Sequence, residues 1–503
     1  MKTKLIYLLT VLLSLISLAF GSTVIAKADD KIEVVTTFYP VYAFTKTVVG
    51  DEANVSLLIK SGTEPHDFEP STKDITTIQK ADVFVYMDDN METWVSNVKK
   101  SIGKDGPTFV KATEGMLLLA GGEEDHDHDS SEADHNHAYD PHVWLSPKRA
   151  ITLVETIRDS FAAKYPDKTE IFTKNAKAYI EKLENLDKSY EETLSKAKQK
   201  SFVTQHTAFS YLALDYGLNQ VAITGISAES EPTAKRLSEL VSFVKKYGIR
   251  YIYFEETASS KVAKTLATEA DVKTAVLNPI ESLTTKQEKA GDDYISLMTA
   301  NLKALEKTTS VAGKAVEEDK ISKTVANGYF KTKDVKDRTL SDWSGNWQSV
   351  YPYLEDGTLD QVWDYKAKLK QDKTAKEYKD YYDTGYKTDV SHIQIDGKKN
   401  TITFTQNGDS KTFTYHYVGY EILTYQKGNR GVRYLFETND ADAGQFKYVQ
   451  FSDHIIKPTK SSHFHIFWGD SSQEELLSEM SNWPTYYPAS LTGHEVAQEM
   501  VAH

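Results

Sequence analysis

The sequence predicts an α/β protein of two lobes joined by a long bridging helix, followed by a mostly β domain that forms a small barrel or sandwich. Three observations predict this fold class. Short apolar runs alternate with helical segments from residue 31 to about residue 305, a pattern typical of parallel sheets. One amphipathic helical pattern separates two groups of these strands. After about residue 335 the chain becomes aromatic, and short runs alternate with turn signals.

The N-terminal residues 1–28 have the layout of a secretion signal. Lys2 and Lys4 precede an apolar core at 5–20, and the small-x-small pattern at 26–28 predicts cleavage. An uncleaved anchor is the alternative, although the apolar run is short for a membrane span of about 20 residues. We therefore expect an exported protein, extracellular or associated with the cell surface of a Gram-positive-type bacterium.

Composition narrows the kinds of ligand that the protein can bind. The 503 residues carry a net charge of −14, which argues against a nucleic-acid partner because phosphate binding needs a basic face. An apolar fraction of 40% indicates folded domains. The chain contains no cysteine, which excludes thiolate ligands and a lipid-modified cysteine. A metal would have to be held by His, Asp and Glu.

The first domain is predicted at 29–305, with lobes at about 29–165 and 201–305. Strands of the first lobe are predicted at "KIEVVTT" and "ADVFVYM", and those of the second at "SFVTQH", "QVAITGI", "IRYIYFEE" and "VKTAVLNP". The bridging helix is predicted at about 167–200, where apolar residues recur in steps of four and three. Asp167 and Glu170 are spaced as a capping box for this helix. A helix of about 30 residues spans roughly 45 Å, enough to brace two lobes.

A polar, charged linker is predicted at 306–334, and a second domain at 335–503. Turn signals such as Asp396-Gly397 and Asn407-Gly408 separate its short runs, which indicates antiparallel strands in a small barrel or sandwich.

Four potential metal ligands of the first domain lie in segments that follow predicted strands: His66, His142, His206 and Glu281. Ligands of open α/β sheets bind outside the carboxyl ends of the strands, so these side chains could converge between the lobes. Three imidazoles and one carboxylate suit Zn²⁺, whereas Mn²⁺ favours more oxygen ligands. The alternative is that each is an ordinary solvated loop residue.

Three neighbours of these residues are candidates for an orienting role. Asp140 precedes His142 across a proline, and Glu255 and Glu256 end a strand near the predicted cleft. Such carboxylates commonly hold the second ring nitrogen of a ligating histidine.

A His-rich loop is predicted at 121–139, in "GGEEDHDHDSSEADHNHAY". It has no periodic apolar residues, so we expect no packed structure there. Its histidines could capture zinc weakly, and a solvated spacer is the alternative; they are His126, His128, His135 and His137.

The second domain carries its own cluster, His454, His463 and His465. Two histidines two residues apart on a strand face the same side. Three imidazoles leave a fourth position for water or another ligand, as open zinc sites do. The alternative is that these three are surface histidines on an aromatic strand pair. His392 and His416 lie in other alternating runs, and we expect them to be ordinary sheet residues.

The segments "GTEPHDFEPS", "DPHVWLSP" and "FVTQHTAFSYLA" resemble those of the zinc-binding (ZnuA-like) receptors of ABC importers, over about 31–305. The resemblance implies two lobes joined by a rigid helix, and a zinc rather than manganese site. It places the metal ligands at His66, His142, His206 and Glu281.

The segments "DWSGNWQSVYPYLEDG", "FKYVQFSDH" and "HFHIFWG" resemble the ZinT family of zinc-binding domains with a lipocalin-like barrel, over about 337–503. The resemblance implies zinc ligation by His454, His463 and His465. A receptor fused to such a domain is similar to the zinc-uptake proteins of streptococcal type. The combination implies about two tightly bound Zn²⁺ per chain, a membrane permease as partner, and a monomer. Such receptors are usually tethered to the membrane by a lipidated cysteine. This chain has no cysteine, which argues against lipid anchoring here.

We therefore predict a receptor that captures zinc for uptake, with the second domain as auxiliary collector, and no catalysis. A zinc hydrolase built on the second cluster is one alternative, although no nearby Glu is evidently placed as general base. The segment "HEVAQ" at His494 almost matches a metalloprotease helix, but Gln498 stands where a second His is needed. A surface adhesin is the other alternative.

Overall fold

The computed structural model describes residues 31–121, 139–226, 231–256, 259–314, 323–425 and 428–502. The predicted signal and the four histidines of the His-rich loop lie outside the described residues. The described part contains two parallel sheets and one closed antiparallel barrel, which confirms the predicted fold class.

The first lobe is a four-stranded parallel sheet in the order β2-β1-β3-β4. Its strands are β1 (Ile32–Thr36), β2 (Ala53–Leu57), β3 (Val83–Tyr86) and β4 (Thr108–Lys111), and its helices are α1 (Tyr39–Val49), α2 (Thr72–Gln79) and α3 (Val95–Ile102). All four residues of β3 are buried, because helices cover both faces of a parallel sheet.

The second lobe repeats this arrangement in the order β6-β5-β7-β8, again parallel. Its strands are β5 (Ser201–Thr204), β6 (Asn219–Ala222), β7 (Tyr251–Phe254) and β8 (Lys273–Val276). Its helices are α6 (Ser210–Asp215), α7 (Ala234–Tyr247), α8 (Lys261–Ala270), α9 (Thr285–Ala290) and α10 (Tyr294–Thr309). The last helix therefore extends past residue 305, where the linker was predicted to begin.

Two long helices, α4 (Pro147–Lys164) and α5 (Thr169–Leu194), lie between the lobes. The buried face of α5 contains the six predicted residues, Phe172, Ala176, Tyr179, Leu183, Leu186 and Tyr190, and also Leu194. This face packs into one apolar core that includes residues of both lobes. The predicted capping box is wrong, because Asp167 lies inside a 3-10 turn, Pro166–Lys168, and the cap residue Lys168 makes no side-chain hydrogen bond to the helix.

The second domain is a closed eight-stranded barrel in the order β10-β11-β12-β13-β14-β15-β16-β9. Its strands are β9 (Gly345–Ser349), β10 (Val390–Asp396), β11 (Thr401–Gln406), β12 (Asp409–Thr424), β13 (Arg430–Thr438), β14 (Tyr448–Ser452), β15 (Phe464–Gly469) and β16 (Thr485–Pro488). Closure leaves no unpaired strand edge. Aromatic side chains fill the interior, with Trp343 stacked on Phe451 at 4.9 Å between ring centroids.

Five helices lie within the described part of the second domain, which the sequence predicted to be mostly β. They are α11 (Tyr351–Glu355), α12 (Asp360–Lys370), α13 (Ala375–Tyr386), α14 (Gln473–Leu477) and α15 (Gly493–Ala502). The segment 342–368, "DWSGNWQSVYPYLEDGTLDQVWDYKAK", is predicted to be β-like because it is rich in aromatic residues. Its Trp363 and Tyr365 instead lie on α12 and are buried in a separate apolar cluster with α13 and α15.

The two domains contact each other through this helical cluster. Leu117 of the first domain is buried within it, and the side-chain amide of Gln498 pairs with the main chain of Leu118. The Leu118 N–H donates to Gln498 Oε1 at 2.7 Å, and Gln498 Nε2 donates to the Leu118 carbonyl at 2.8 Å. The barrel is thus docked on the first lobe by contacts that the sequence did not predict.

A buried ionic group completes the contact between domains. Arg149 of α4 donates to Asp215 at 2.7 Å, and Lys368 of α12 reaches the same carboxylate at 3.1 Å. The hydroxyl of Tyr365 accepts from Arg149 and donates to the Leu117 carbonyl.

Within the described residues, no helix is long and apolar enough to cross a membrane.

Candidate metal centres

The ligand atoms of His66, His142, His206 and Glu281 all lie within 4.8 Å of one another, in the cleft between the lobes. His66 follows β2, His206 follows β5 and Glu281 follows β8, so the carboxyl ends of strands from both sheets supply them. His142 comes just before α4. All four predicted residues are therefore brought together.

The spacing of these atoms suits tetrahedral coordination. The Nε2 atom of His142 lies 3.0 Å from that of His66 and 3.3 Å from that of His206. Glu281 Oε1 lies 3.6–3.8 Å from the three Nε2 atoms. Tetrahedral bonds of about 2.0–2.1 Å place ligand atoms roughly 3.3 Å apart, close to these separations.

Two carboxylates orient the imidazoles. Asp140 Oδ1 accepts from His142 Nδ1 at 2.8 Å, and Glu255 Oε1 accepts from His206 Nδ1 at 2.5 Å. Protonation at Nδ1 leaves the Nε2 lone pair of each ring directed at the shared centre. Glu256 has no such role, because its carboxylate accepts from Gln287.

Burial and charge set the proton affinity of the metal-free site. Burial alone would lower the pKa of His142, but the Asp140 carboxylate raises it above its usual value. Glu255 does the same for the pKa of His206, more strongly. His66 has no such partner, and burial together with the neighbouring His142 lowers its pKa to about 3.

Glu281 gives the strongest indication that a cation belongs in this cleft. The side chain is 4% exposed, and its Oε1 is buried without a hydrogen-bond partner. Burial would raise the pKa of Glu281, yet the imidazoles of His142 and His206, 3.7 and 3.6 Å from Oε1, lower it below its usual value. A buried carboxylate oxygen without a donor is costly unless a cation neutralises it.

The ligand atoms of His454, His463 and His465 also lie within 4.8 Å of one another. His454 follows β14, His463 immediately precedes β15, and His465 lies on β15. The ring of His463 stacks on Tyr487 at 5.0 Å, and His465 Nδ1 lies 2.7 Å from the Thr485 hydroxyl. These contacts fix two of the three rings.

The two centres differ in charge and enclosure. The cleft site contains a carboxylate ligand and is almost entirely buried. The barrel site contains imidazoles alone and opens into a cavity of about 700 Å³ lined by His454 and His465. Among the described residues that line this cavity, none is Asp or Glu.

Sequence reasoning missed the residues that hold the barrel ligands. Arg338 is buried and donates to Asp453, the residue before His454, at 2.6 Å. Thr485 contacts His465 from the neighbouring strand. Asp453 could have been noticed because it adjoins a candidate ligand, but the other two have no local signal.

The remaining candidate histidines are separate from both centres. His392 and His416 are exposed on β10 and β12, as predicted, and His416 contacts Glu437 at 2.9 Å. His494 lies at the start of α15.

Two family models match the chain. One, described as zinc-uptake complex component A, periplasmic, matches residues 34–308. The other, described as ZinT (YodA) periplasmic lipocalin-like zinc-recruitment, matches residues 321–503.

Curated relatives match over nearly the whole chain. The zinc-binding protein AdcA of Streptococcus pyogenes serotype M1 is 63% identical over 488 residues, which is 95% of each chain. The zinc-binding lipoprotein AdcA of Streptococcus pneumoniae R6 is 64% identical over 480 residues, again 95% of each. The crystal structure of Zn(II)-bound AdcA from Streptococcus pneumoniae is 62% identical, with a TM-score of 0.86, and the match covers 94% of this chain and 100% of that one.

Proposed function

The chain belongs to the AdcA family of zinc-binding proteins, exported receptors for zinc uptake that are not enzymes, and from this premise we propose how its residues carry out that task. His66, His142, His206 and Glu281 form the site that holds zinc for an ABC importer. The observation that carries this assignment is the buried Oε1 of Glu281, which has no donor and faces three imidazole nitrogens.

Capture at this site is coupled to protons. Zn²⁺ binds deprotonated imidazoles, so affinity falls as the pH drops. Asp140 and Glu255 hold the Nδ1 protons of His142 and His206, and this makes Nε2 the metal-binding atom of both rings. Occupancy favours one arrangement of the lobes, which the permease recognises, to the extent that zinc binds that arrangement more tightly.

The barrel site, His454, His463 and His465, acts as an auxiliary collector when zinc is scarce. Its three imidazoles carry no charge of their own and leave a coordination position open. Weaker and more accessible binding suits collection, whereas the enclosed cleft suits retention. Handover from the barrel to the cleft follows as a hypothesis, and equal uptake by a chain lacking residues 330–503 under zinc limitation would remove its basis.

Metal analysis of the purified full chain tests both assignments. We expect about two tightly bound zinc ions in the wild type. Two triple alanine variants should each retain one zinc ion. The first replaces His66, His142 and His206, and the second replaces His454, His463 and His465. A matched triple at His392, His416 and His494, exposed histidines outside both sites, should retain two.

An unchanged zinc content in either site variant would refute the corresponding assignment. Because one chain supplies all seven ligands, we also expect the zinc-loaded protein to have the mass of a monomer by light scattering.

A further inference from the structure

The barrel site opens into a cavity that is much larger than a metal ion needs. Its volume is about 700 Å³, within the range of sites for small organic molecules. Aromatic side chains line it, among them Tyr381, Phe467 and Trp483. One zinc ion and one water would leave most of this space to solvent.

Two arginines line the cavity, and neither makes an ion pair within the described residues. Arg433 is 2% exposed, and its donors go to neutral acceptors, including the carbonyls of Leu476 and Glu479. The Glu479 carboxylate itself accepts hydrogen bonds from Ser481. The nearest carboxylate that acts on Arg433 is that of Glu479, and among the described residues none forms an ion pair with its guanidinium. A buried cation without a directly paired carboxylate is uncommon.

Arg430 is the second of these cations. Its guanidinium packs 4.5 Å above the Phe330 ring and donates to the Thr332 hydroxyl at 2.9 Å. It is partly exposed, so it can contact a molecule in the cavity without leaving the protein surface.

Charge balance indicates what the cavity accepts. Zinc on three neutral imidazoles contributes two positive charges, and Arg430 and Arg433 add two more. No described lining residue supplies a negative charge. An anion at the open coordination position would lower the electrostatic energy of all three cations, and it would do so strongly where water is partly excluded.

We propose that the barrel domain binds zinc together with a small organic carboxylate, such as an amino acid or a hydroxycarboxylate. The carboxylate completes the coordination of zinc, Arg430 and Arg433 balance its charge, and the aromatic wall packs on its carbon atoms. The domain thus collects zinc as a chelate. This inference rests on the proposed zinc site of the barrel.

Equilibrium dialysis of the full chain with radiolabelled citrate or L-histidine, at a fixed buffered concentration of free zinc, tests the proposal. We expect about one bound ligand per chain for at least one of the two probes. Binding should be absent without zinc and absent in the His463→Ala/His465→Ala double variant, which retains the His-rich loop. The probe that binds identifies which class of carboxylate the cavity accepts.

Substitutions of Arg430, with Lys447→Gln as control, show whether the ligand lies beside Arg430 in the cavity. Arg430→Gln should weaken ligand binding at least tenfold while leaving the zinc content in ligand-free buffer unchanged, and Arg430→Lys should restore part of it. Lys447→Gln removes an exposed charge outside the cavity and should have no effect.

Failure of both probes to bind at fixed free zinc would overturn the proposal, as would binding that persists without zinc or in the double variant. If the barrel site of the wild-type chain binds no zinc under these conditions, the result would instead refute the zinc site on which the proposal rests.

Discussion

His454 has a left-handed backbone conformation, with φ of 63°, which is uncommon for a residue other than glycine. It costs roughly 1–2 kcal/mol. The residue before it, Asp453, accepts from the Ile455 N–H at 3.2 Å and from Arg338 at 2.6 Å. Arg338 also donates to the Thr459 carbonyl at 2.8 Å. One buried arginine thus holds the turn that presents the candidate zinc ligand His454.

Replacement of this arginine should therefore affect the barrel site alone. We expect Arg338→Met to weaken zinc binding at the barrel site by about ten- to a hundredfold, the usual effect of losing a residue that orients a ligand. The Co²⁺ absorption of that site should lose intensity as the tetrahedral geometry is distorted. Arg338→Lys should recover part of both.

The cleft site of the same chain serves as the internal reference for this experiment. Arg158→Met, which removes a surface contact with Asp159, is the matched control. An unaltered cobalt spectrum in Arg338→Met would show that the ion pair does not position His454.

Glu92 is a fully buried carboxylate distant in sequence from the ligands. It accepts from the Thr37 hydroxyl at 2.5 Å and from the N–H groups of Met87 and Asp88 at 3.1 and 3.0 Å. Burial outweighs these hydrogen bonds and raises the pKa of Glu92 to about 7, and the charge of Asp88 adds to the rise.

The folded protein therefore binds the Glu92 proton more tightly than the unfolded chain, where the pKa is 4.5. The resulting stabilisation is fully present below about pH 4.5 and is lost as the pH rises through 7. Relative to Glu92→Gln, the wild type should lose roughly 3 kcal/mol of unfolding free energy between pH 4.5 and 7.5. Urea unfolding of both proteins at several pH values measures this difference, and a pH-independent difference would contradict it.

At the scale of elements, the patterns that predicted the fold are local ones. The strand β3 is a short apolar run with all four residues buried, β5 is also buried throughout, and the apolar spacing on α5 matches its buried face. The candidate ligands could be predicted because each adjoins a strand or a proline. The family resemblance then grouped them into two sites.

What could not be predicted depends on contacts between distant residues. Arg338 and Asp453 are 115 positions apart, and neither has a local pattern that links it to the other. The helices α11, α12 and α13 were missed because aromatic residues are as frequent in strands as in this helical cluster.

Gln498 shows that a local sequence pattern can suggest the wrong role for a residue whose role depends on a distant contact. It occupies the place where a metalloprotease helix would have its second histidine. On α15 its amide instead bonds both main-chain groups of Leu118, 380 positions away. Gln498, which argues against a metalloprotease helix, instead helps to dock the two domains.

At the scale of the whole molecule, the domains should remain associated without a covalent linker. The test uses a chain with a protease site inserted between residues 314 and 323, cleaved after purification. After cleavage we expect the wild-type halves to co-elute in gel filtration, because a buried ionic group and an apolar cluster join them.

The triple variant Tyr365→Phe, Lys368→Met and Gln498→Leu removes the buried polar contacts that these three side chains make with the first domain, and its halves should separate. Lys376→Met, which removes an exposed contact with Asp380, is the control and should co-elute. Separation of the cleaved wild type would show that the linker alone holds the domains together.

The pairing of Gln498 and Tyr365 with the main chain of Leu117 and Leu118 also has an evolutionary consequence. Every amino acid except proline offers the same main-chain N–H and carbonyl groups. A substitution at position 118 by any other residue therefore leaves these hydrogen bonds available, and no compensating change is required in the other domain. Searches for correlated substitutions between the two domains would overlook this junction, although it is among their most specific points of attachment.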